Sequence, residues 1–345
     1  MTRPGEKGDI HRFEARNGEC PLFLDRRISV APMMDYTDRH CRYLHRLLSP
    51  GALLYTEMVA ALALKHGNRD RLLGFDRAES PVALQVGGSD PELLARAAKL
   101  GEERGYAEIN LNVGCPSDRV QEGNFGACLM AEPQLVSDCM VAMREAVSLP
   151  VTIKCRIGID ELDDYGFFDH FVQLVRRSGV TVFIVHARKA ILQGLTPKEN
   201  REIPPLRYEM VARLKRENPD LTVILNGGLK TAAQVRDWLP QCDGVMLGRQ
   251  AYQEPYLLAE LHREFVDRNW IQPARDEVVL KYAAYVERML REGYGLAFML
   301  RPLHGLYAGF PGARSWRRFL AEQANRPGAG AEILEESLRV FRSAA

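Results

Sequence analysis

Short apolar runs recur along the chain with longer amphipathic stretches between them, and this alternation predicts the fold. The runs are Ile28 to Met33, Leu53 to Thr56, Val82 to Val86, Ala107 to Val113, Val151 to Arg156, Thr181 to Val185, Leu221 to Leu225 and Gly244 to Leu247. Their near-continuous apolar character is that of parallel strands covered by helices on both faces. Helix starts punctuate the stretches between them. Asp90 precedes Pro91 as an N-cap before a first-turn proline, and Thr231 opens Ala232-Ala233-Gln234-Val235 in the same way. Eight such units close an α/β fold of the (β/α)8 TIM barrel type. No strand runs into the Gly-x-Gly-x-x-Gly turn that would favour an open doubly wound sheet. From Asp276 onward only helical segments remain, broken at Gly293, Pro302, Gly309 to Gly312 and Pro327-Gly328. The expected organisation is an N-terminal extension over residues 1–27, a barrel over 28–268 and a small all-helical C-terminal domain over 269–345.

Composition narrows the class without naming it. The 46 basic and 45 acidic side chains nearly cancel, so any polyanion contact must come from a local patch. No stretch reaches the roughly 18 apolar residues of a membrane span. The charged N-terminus lacks the apolar centre of a signal peptide. Seven cysteines with no Cys-x-x-Cys pair argue against a disulfide framework or a zinc site. A cytoplasmic protein without a metal is expected, and nothing calls for an obligate protein partner.

In a barrel of this kind the C-terminal strand ends converge on one mouth, so their residues can be read as one site. The first ends in Pro32-Met33-Met34, an apolar tip suited to a flat ring, followed by Asp35 and Thr37 as candidate caps for the next helix. The third ends at Gln85, whose amide offers both a donor and an acceptor to a heteroaromatic edge. The fourth runs into Asn112-Val113-Gly114-Cys115-Pro116, where packing residues give way to polar ones and a single thiol. Lys154 lies inside the fifth, where an ammonium is costly unless an anion meets it. His186 closes the sixth as a candidate donor. Asn226-Gly227-Gly228 and Gly248-Arg249 end the seventh and eighth, where barrels commonly bind phosphate through backbone N–H groups. A phosphate site, an amide edge, an enclosed cation and an apolar tip together describe a seat for flavin mononucleotide (FMN).

Longer strings carry a family resemblance. Ala31-Pro32-Met33-Met34-Asp35-Tyr36-Thr37-Asp38, Leu111-Asn112-Val113-Gly114-Cys115-Pro116-Ser117 and His186-Ala187-Arg188-Lys189-Ala190 resemble the tRNA-dihydrouridine synthases. The stretch from Gly194 to Leu206, with Pro311 to Arg318, is similar to the bacterial A-type subfamily. The resemblance implies a flavin barrel joined to a helical tRNA-binding domain. It implies NADPH-dependent reduction of the uridine C5=C6 bond in the D-loop, at positions 20 and 20a. By motif, flavin contacts would fall on Pro32, Met33, Met34, Gln85, Lys154, His186, Asn226, Gly227, Gly228, Gly248 and Arg249. Cys115 would be the proton donor, and tRNA contacts would fall on Asn112, Lys198, Arg201, Arg314 and Arg317.

The chemistry fits the residues. Hydride added at the electron-poor C6 of uracil leaves an enolate that takes a proton at C5. A thiol of ordinary pKa near 8.5 is mostly protonated at neutral pH and can supply it. Nothing in Asn112 to Pro116 adds a cation that would turn it into a nucleophile instead. A target base held in folded RNA must be turned out of its stack. For holding that RNA, Arg291 to Arg318 offers five Arg and one Glu interleaved with aromatics. The nearest alternative is an FMN-dependent reductase of a free pyrimidine or enone. A non-redox barrel enzyme acting on a sugar phosphate and an RNA-binding module with an idle barrel are more distant rivals.

Overall fold

The structure is a computed structural model and describes residues 24–344. Eight parallel strands form the barrel: β1 (Ile28–Val30), β2 (Leu53–Tyr55), β3 (Val82–Gly87), β4 (Glu108–Val113), β5 (Val151–Arg156), β6 (Val182–His186), β7 (Thr222–Asn226) and β8 (Gly244–Leu247). Each pairs with the next, and β8 returns to β1 with Ile28 beside Val245 and Val30 beside Leu247. A two-residue strand, Val59–Ala60, adds to β3 near the mouth and has no counterpart in the sequence reading. β1 is shorter than the run Ile28 to Met33, because Pro32 has no N–H to give to a ladder.

The helix starts fall where the capping residues place them. Asp90 accepts from Glu92 N and Leu93 N, and Thr231 accepts from Gln234 N. The expected extension over 1–27 lies mostly outside the described residues, but its end belongs to the barrel floor. Leu24 is buried there, and Arg26 reaches Glu108 inside the barrel at 2.5 Å.

Helices Arg275–Arg291, Leu296–Leu300, Ala313–Gln323 and Glu332–Ala344 follow the barrel. Their apolar residues, including fully buried Trp316 and Tyr282, continue the core that fills the space between barrel wall and outer helices. The junction is helix Arg39–Leu48, which follows β1. His40 Nδ1 sits 2.7 Å from Tyr285 Oη, and Tyr43 stacks on Tyr285 at 3.9 Å between centroids. The C-terminal helices are therefore anchored beside the first strand end. None of the described helices is long and apolar enough to cross a membrane.

Candidate functional site

Strand register assembles the mouth. Gln85 pairs with Asn110, Asn112 with Lys154, Arg156 with His186, and His186 with Asn226. Side chains alternate along a strand, so these residues share the barrel interior. Gln85, Asn110, Asn112 and Asn226 are all buried. At the β1 exit Pro32 and Met33 are half-buried and Met34 is exposed. Thr37 Oγ1 accepts from Met33 N at 2.8 Å and closes that turn, in which Asp35 takes a φ of 66°. The helix cap expected of Asp35 or Thr37 is supplied instead by Asp38, which accepts from Cys41 N at 2.8 Å. Asp35 and Thr37 are occupied in making the turn.

The thiol loop hangs on one amide. Asn112 Oδ1 accepts from Gly114 N at 3.1 Å and Cys115 N at 3.0 Å, while its Nδ2 donates to Gln85 Oε1 at 2.9 Å. Cys115 is partly exposed, with Sγ 3.5 Å from Ser117 Oγ. Gly126 takes a φ of 81° under this loop, and a Cβ there would lie 2.5 Å from Cys115 O. The segment Asn112 to Pro116 contains no cation, but the fold brings three. Lys154, Arg156 and Arg201 all couple electrostatically to Cys115.

Lys154 is the centre of that cluster. Its Nζ donates to Asn226 Oδ1 at 3.1 Å, and no carboxylate among the described residues forms an ion pair with it. Burial, reinforced by Arg156, pulls the ammonium down to about 8. Arg156, lowered by burial to about 10, donates to Gly114 O at 2.8 Å, Lys189 O at 2.9 Å and Asn200 O at 3.2 Å. It thus ties the thiol loop to two points on the loop after β6. His186 is driven well below its ordinary value by burial and by Arg156, Lys154, Arg188 and Arg201, so its imidazole is neutral. Arg188 Nε and Arg201 Nε are buried without a hydrogen-bond partner among the described residues. So much enclosed positive charge, with orphaned donors, fits a ligand that is anionic and rich in acceptors. FMN meets that description.

At the corner expected to bind phosphate, Gly227 (φ 118°) and Gly228 (φ 66°) occupy conformations that favour glycine. A Cβ on Gly227 would lie 2.6 Å from His186 Cδ2. Gly248 has open space beside it, with only Met33 Sδ as near as 4.0 Å. Arg249 meets Glu202 at 2.5 Å, so the arginine next to the glycines is tied to the loop that carries Lys198 and Arg201.

The residues expected to touch RNA fall in three places. Asn112 lies in the barrel, Lys198 and Arg201 lie on the loop after β6, and Arg314 and Arg317 are exposed on helix Ala313–Gln323 opposite buried Trp316. Electrostatic neighbours connect the last two. Arg201 couples to Tyr36, Tyr36 and Arg301 to Tyr252, and Arg301 and Arg317 to His304. Exposed Tyr36 packs edge-on against Tyr252 at 4.7 Å, and Arg301 lies over exposed Phe298 at 4.8 Å. Sequence reasoning did not single out Tyr36, Tyr252, Arg301, Arg156 or Arg188. For Arg156 the signal was present, since it lies two residues after Lys154 and so on the same face. Among the described residues no cluster of His, Cys, Asp and Glu is arranged to hold a metal.

The family model described as dihydrouridine synthase (Dus) matches residues 29–344. The tRNA-dihydrouridine(20/20a) synthase of Yersinia pestis is 56% identical over 96% of each chain. Its counterpart from Xanthomonas axonopodis pv. citri is 55% identical over 90% of this chain and 93% of the relative. A 2-naphthoyl-CoA reductase structure superposes with a TM-score of 0.51 at 8% identity, covering 73% of this chain and 51% of that one. That likeness speaks to fold alone.

Proposed function

Because the chain belongs to the dihydrouridine synthase family, we propose that it reduces uridine to 5,6-dihydrouridine in the tRNA D-loop, at positions 20 and 20a. The family is flavin-dependent; FMN as the flavin and NADPH as its reductant are part of this proposal. Bound flavin would supply hydride to C6 of the uracil ring.

The chain's own residues do the rest. Lys154 and His186 would face the flavin with Gln85 and Asn226, and Pro32, Met33 and Met34 would pack on it. Gly227, Gly228, Gly248 and Arg249 would hold its phosphate. Cys115 gives its proton to C5, and Arg156 holds its loop through Gly114 O. Lys198, Arg201, Arg314 and Arg317 grip the tRNA backbone, and Asn112 meets the flipped base. The enzyme works in the cytoplasm, and residues 28–268 and 269–345 act as catalytic and tRNA-holding parts.

One observation carries the reading. A buried ammonium without a carboxylate, Lys154, lies in register with Asn112, whose amide holds the thiol loop. Incubation with NADPH and unmodified tRNA, followed by nucleoside mass spectrometry, should yield dihydrouridine at the D-loop. A reductase of free pyrimidines or enones would instead consume NADPH with the free compound and leave the tRNA unchanged.

A further inference from the structure

Beneath the mouth, a directed chain of hydrogen bonds crosses the barrel. Glu108 is fully buried at the start of β4, its Oε2 2.5 Å from Arg26 Nη2. Its Oε1 accepts from Tyr55 Oη at 2.7 Å and Thr152 Oγ1 at 2.6 Å. Having donated its only proton, Thr152 can only accept, and Asn110 Nδ2 donates to it at 2.8 Å. That turns Asn110 Oδ1 toward Gln85 Nε2, which donates at 2.8 Å. Gln85 Oε1 then accepts from Asn112 Nδ2 at 2.9 Å. Asn112 Oδ1 is left facing the N–H groups of Gly114 and Cys115. Every donor points toward the carboxylate.

We propose that Glu108, roughly 13 Å from the mouth at four strand steps, is a positioning residue: its charge sets the direction of this chain and so holds the Cys115 loop. Each amide could turn over by itself at little cost in shape, but not in this sequence of partners. A Gln at 108 would set its NH2 against the Arg26 guanidinium unless it turned over. Once turned, it donates to Thr152, and the reversal passes through Asn110 and Gln85 to Asn112. There an NH2 would meet two backbone N–H groups. Were Thr152 to accept from both the Gln and Asn110 instead, its own proton would lose its acceptor, so a donor–donor conflict or an unpaired donor remains somewhere along the chain.

The inference rests on the uridine-reducing role of Cys115 only for its activity readout; the chemical readout is independent. Full-length wild type, Glu108→Gln and the double variant Arg26→Met/Glu108→Gln are treated with iodoacetamide, and Cys115 alkylation is followed by peptide mass spectrometry. Dihydrouridine formation at saturating tRNA is measured alongside. Glu108→Gln should alkylate several-fold faster and lose about tenfold in turnover, the scale of one buried donor left unpaired. With the guanidinium gone, the Gln oxygen can keep facing Thr152, so the double variant should recover toward wild type in both. Unchanged alkylation in Glu108→Gln, or a double variant no better than the single, overturns the proposal. Should Glu108→Gln fail to fold, Thr152→Ser and Thr152→Val decide. The hydroxyl-bearing Ser should behave as wild type and Val as the broken chain, and equal behaviour of the two overturns it. If wild type makes no dihydrouridine yet the alkylation pattern holds, the functional reading fails and the positioning role stands.

Discussion

Replacing Lys154 with Met should make the flavin-free protein more stable and a poorer FMN binder. Burial pulls this ammonium from its ordinary 10.5 to about 8. Between those two values the unfolded chain holds a proton that the folded chain has released, so stability rises with pH across that window. Below about 8 the folded state carries the full cost of enclosing the charge. At roughly 1.36 kcal/mol per unit, that cost is about 3 kcal/mol near pH 7 and about 1.4 kcal/mol near pH 9.5. Methionine removes the charge but also the bond to Asn226 Oδ1, a loss of about 1 kcal/mol. The variant should therefore gain about 2 kcal/mol at neutral pH, a few degrees in Tm for a chain of this size, and almost nothing near pH 9.5. Thermal melts of flavin-stripped wild type and variant at the two pH values read this directly. FMN titration of the same samples should show affinity falling by about tenfold or more, as expected for a lost charge-assisted hydrogen bond. A flavin-free variant that melts below wild type at neutral pH, or a gap that does not shrink at high pH, refutes the reasoning.

Other substitutions test the remaining parts. Cys115→Ala should leave flavin reduction by NADPH intact in stopped flow while slowing dihydrouridine formation by about 10²–10⁴-fold; equal turnover removes the thiol from the mechanism. Arg314→Ala with Arg317→Ala should weaken tRNA binding and flatten the plot of log affinity against log salt by roughly 1.5, and an unchanged slope would place the RNA elsewhere. Gly227→Ala forces a Cβ to within 2.6 Å of His186 Cδ2 at a φ of 118°, so FMN retention should fall, with a stability loss of about 1–3 kcal/mol in denaturant titration.

The barrel was legible because parallel strands are buried on both faces and announce themselves as apolar runs, and the mouth followed from where those runs end. The glycine pair after β7 was readable because few residues other than glycine adopt the φ values found there. What the runs concealed is that one face of several strands is polar. Glu108-Ile109-Asn110-Leu111-Asn112 and Thr152-Ile153-Lys154-Cys155-Arg156 alternate with period two, and the polar set faces inward. The near-continuous apolar reading missed it, since Ile and Leu on the outer face dominated each window. Pairings across loops were beyond reach for a different reason. Arg249 with Glu202 are 47 residues apart, and Arg156 with Gly114 are 42 apart, joined only by the closed barrel.

That division of the interior explains how one barrel can be both a stable core and a charged site. On the β6–β8 side, Val182, Ile184, Ile224 and Met246 fill the inside as apolar packing. Opposite them, β3–β5 line it with Gln85, Asn110, Asn112, Glu108 and Thr152, which would be ruinous unless each found a partner. The amides and Thr152 do, each bonded to the next, and at the floor Glu108 is met by Arg26, whose Nη1 is left without a hydrogen-bond partner among the described residues. At the top, where Lys154 and the arginines gather, the accounting also stays open, and there the missing partner is negative. A site assembled this way is hydrogen-bonded below and unsatisfied above, so an anionic ligand would meet charges already in position. The energy for holding those charges comes from the apolar half and the outer helices, which is why changes at the mouth should trade function for stability while changes in the polar column should lose both.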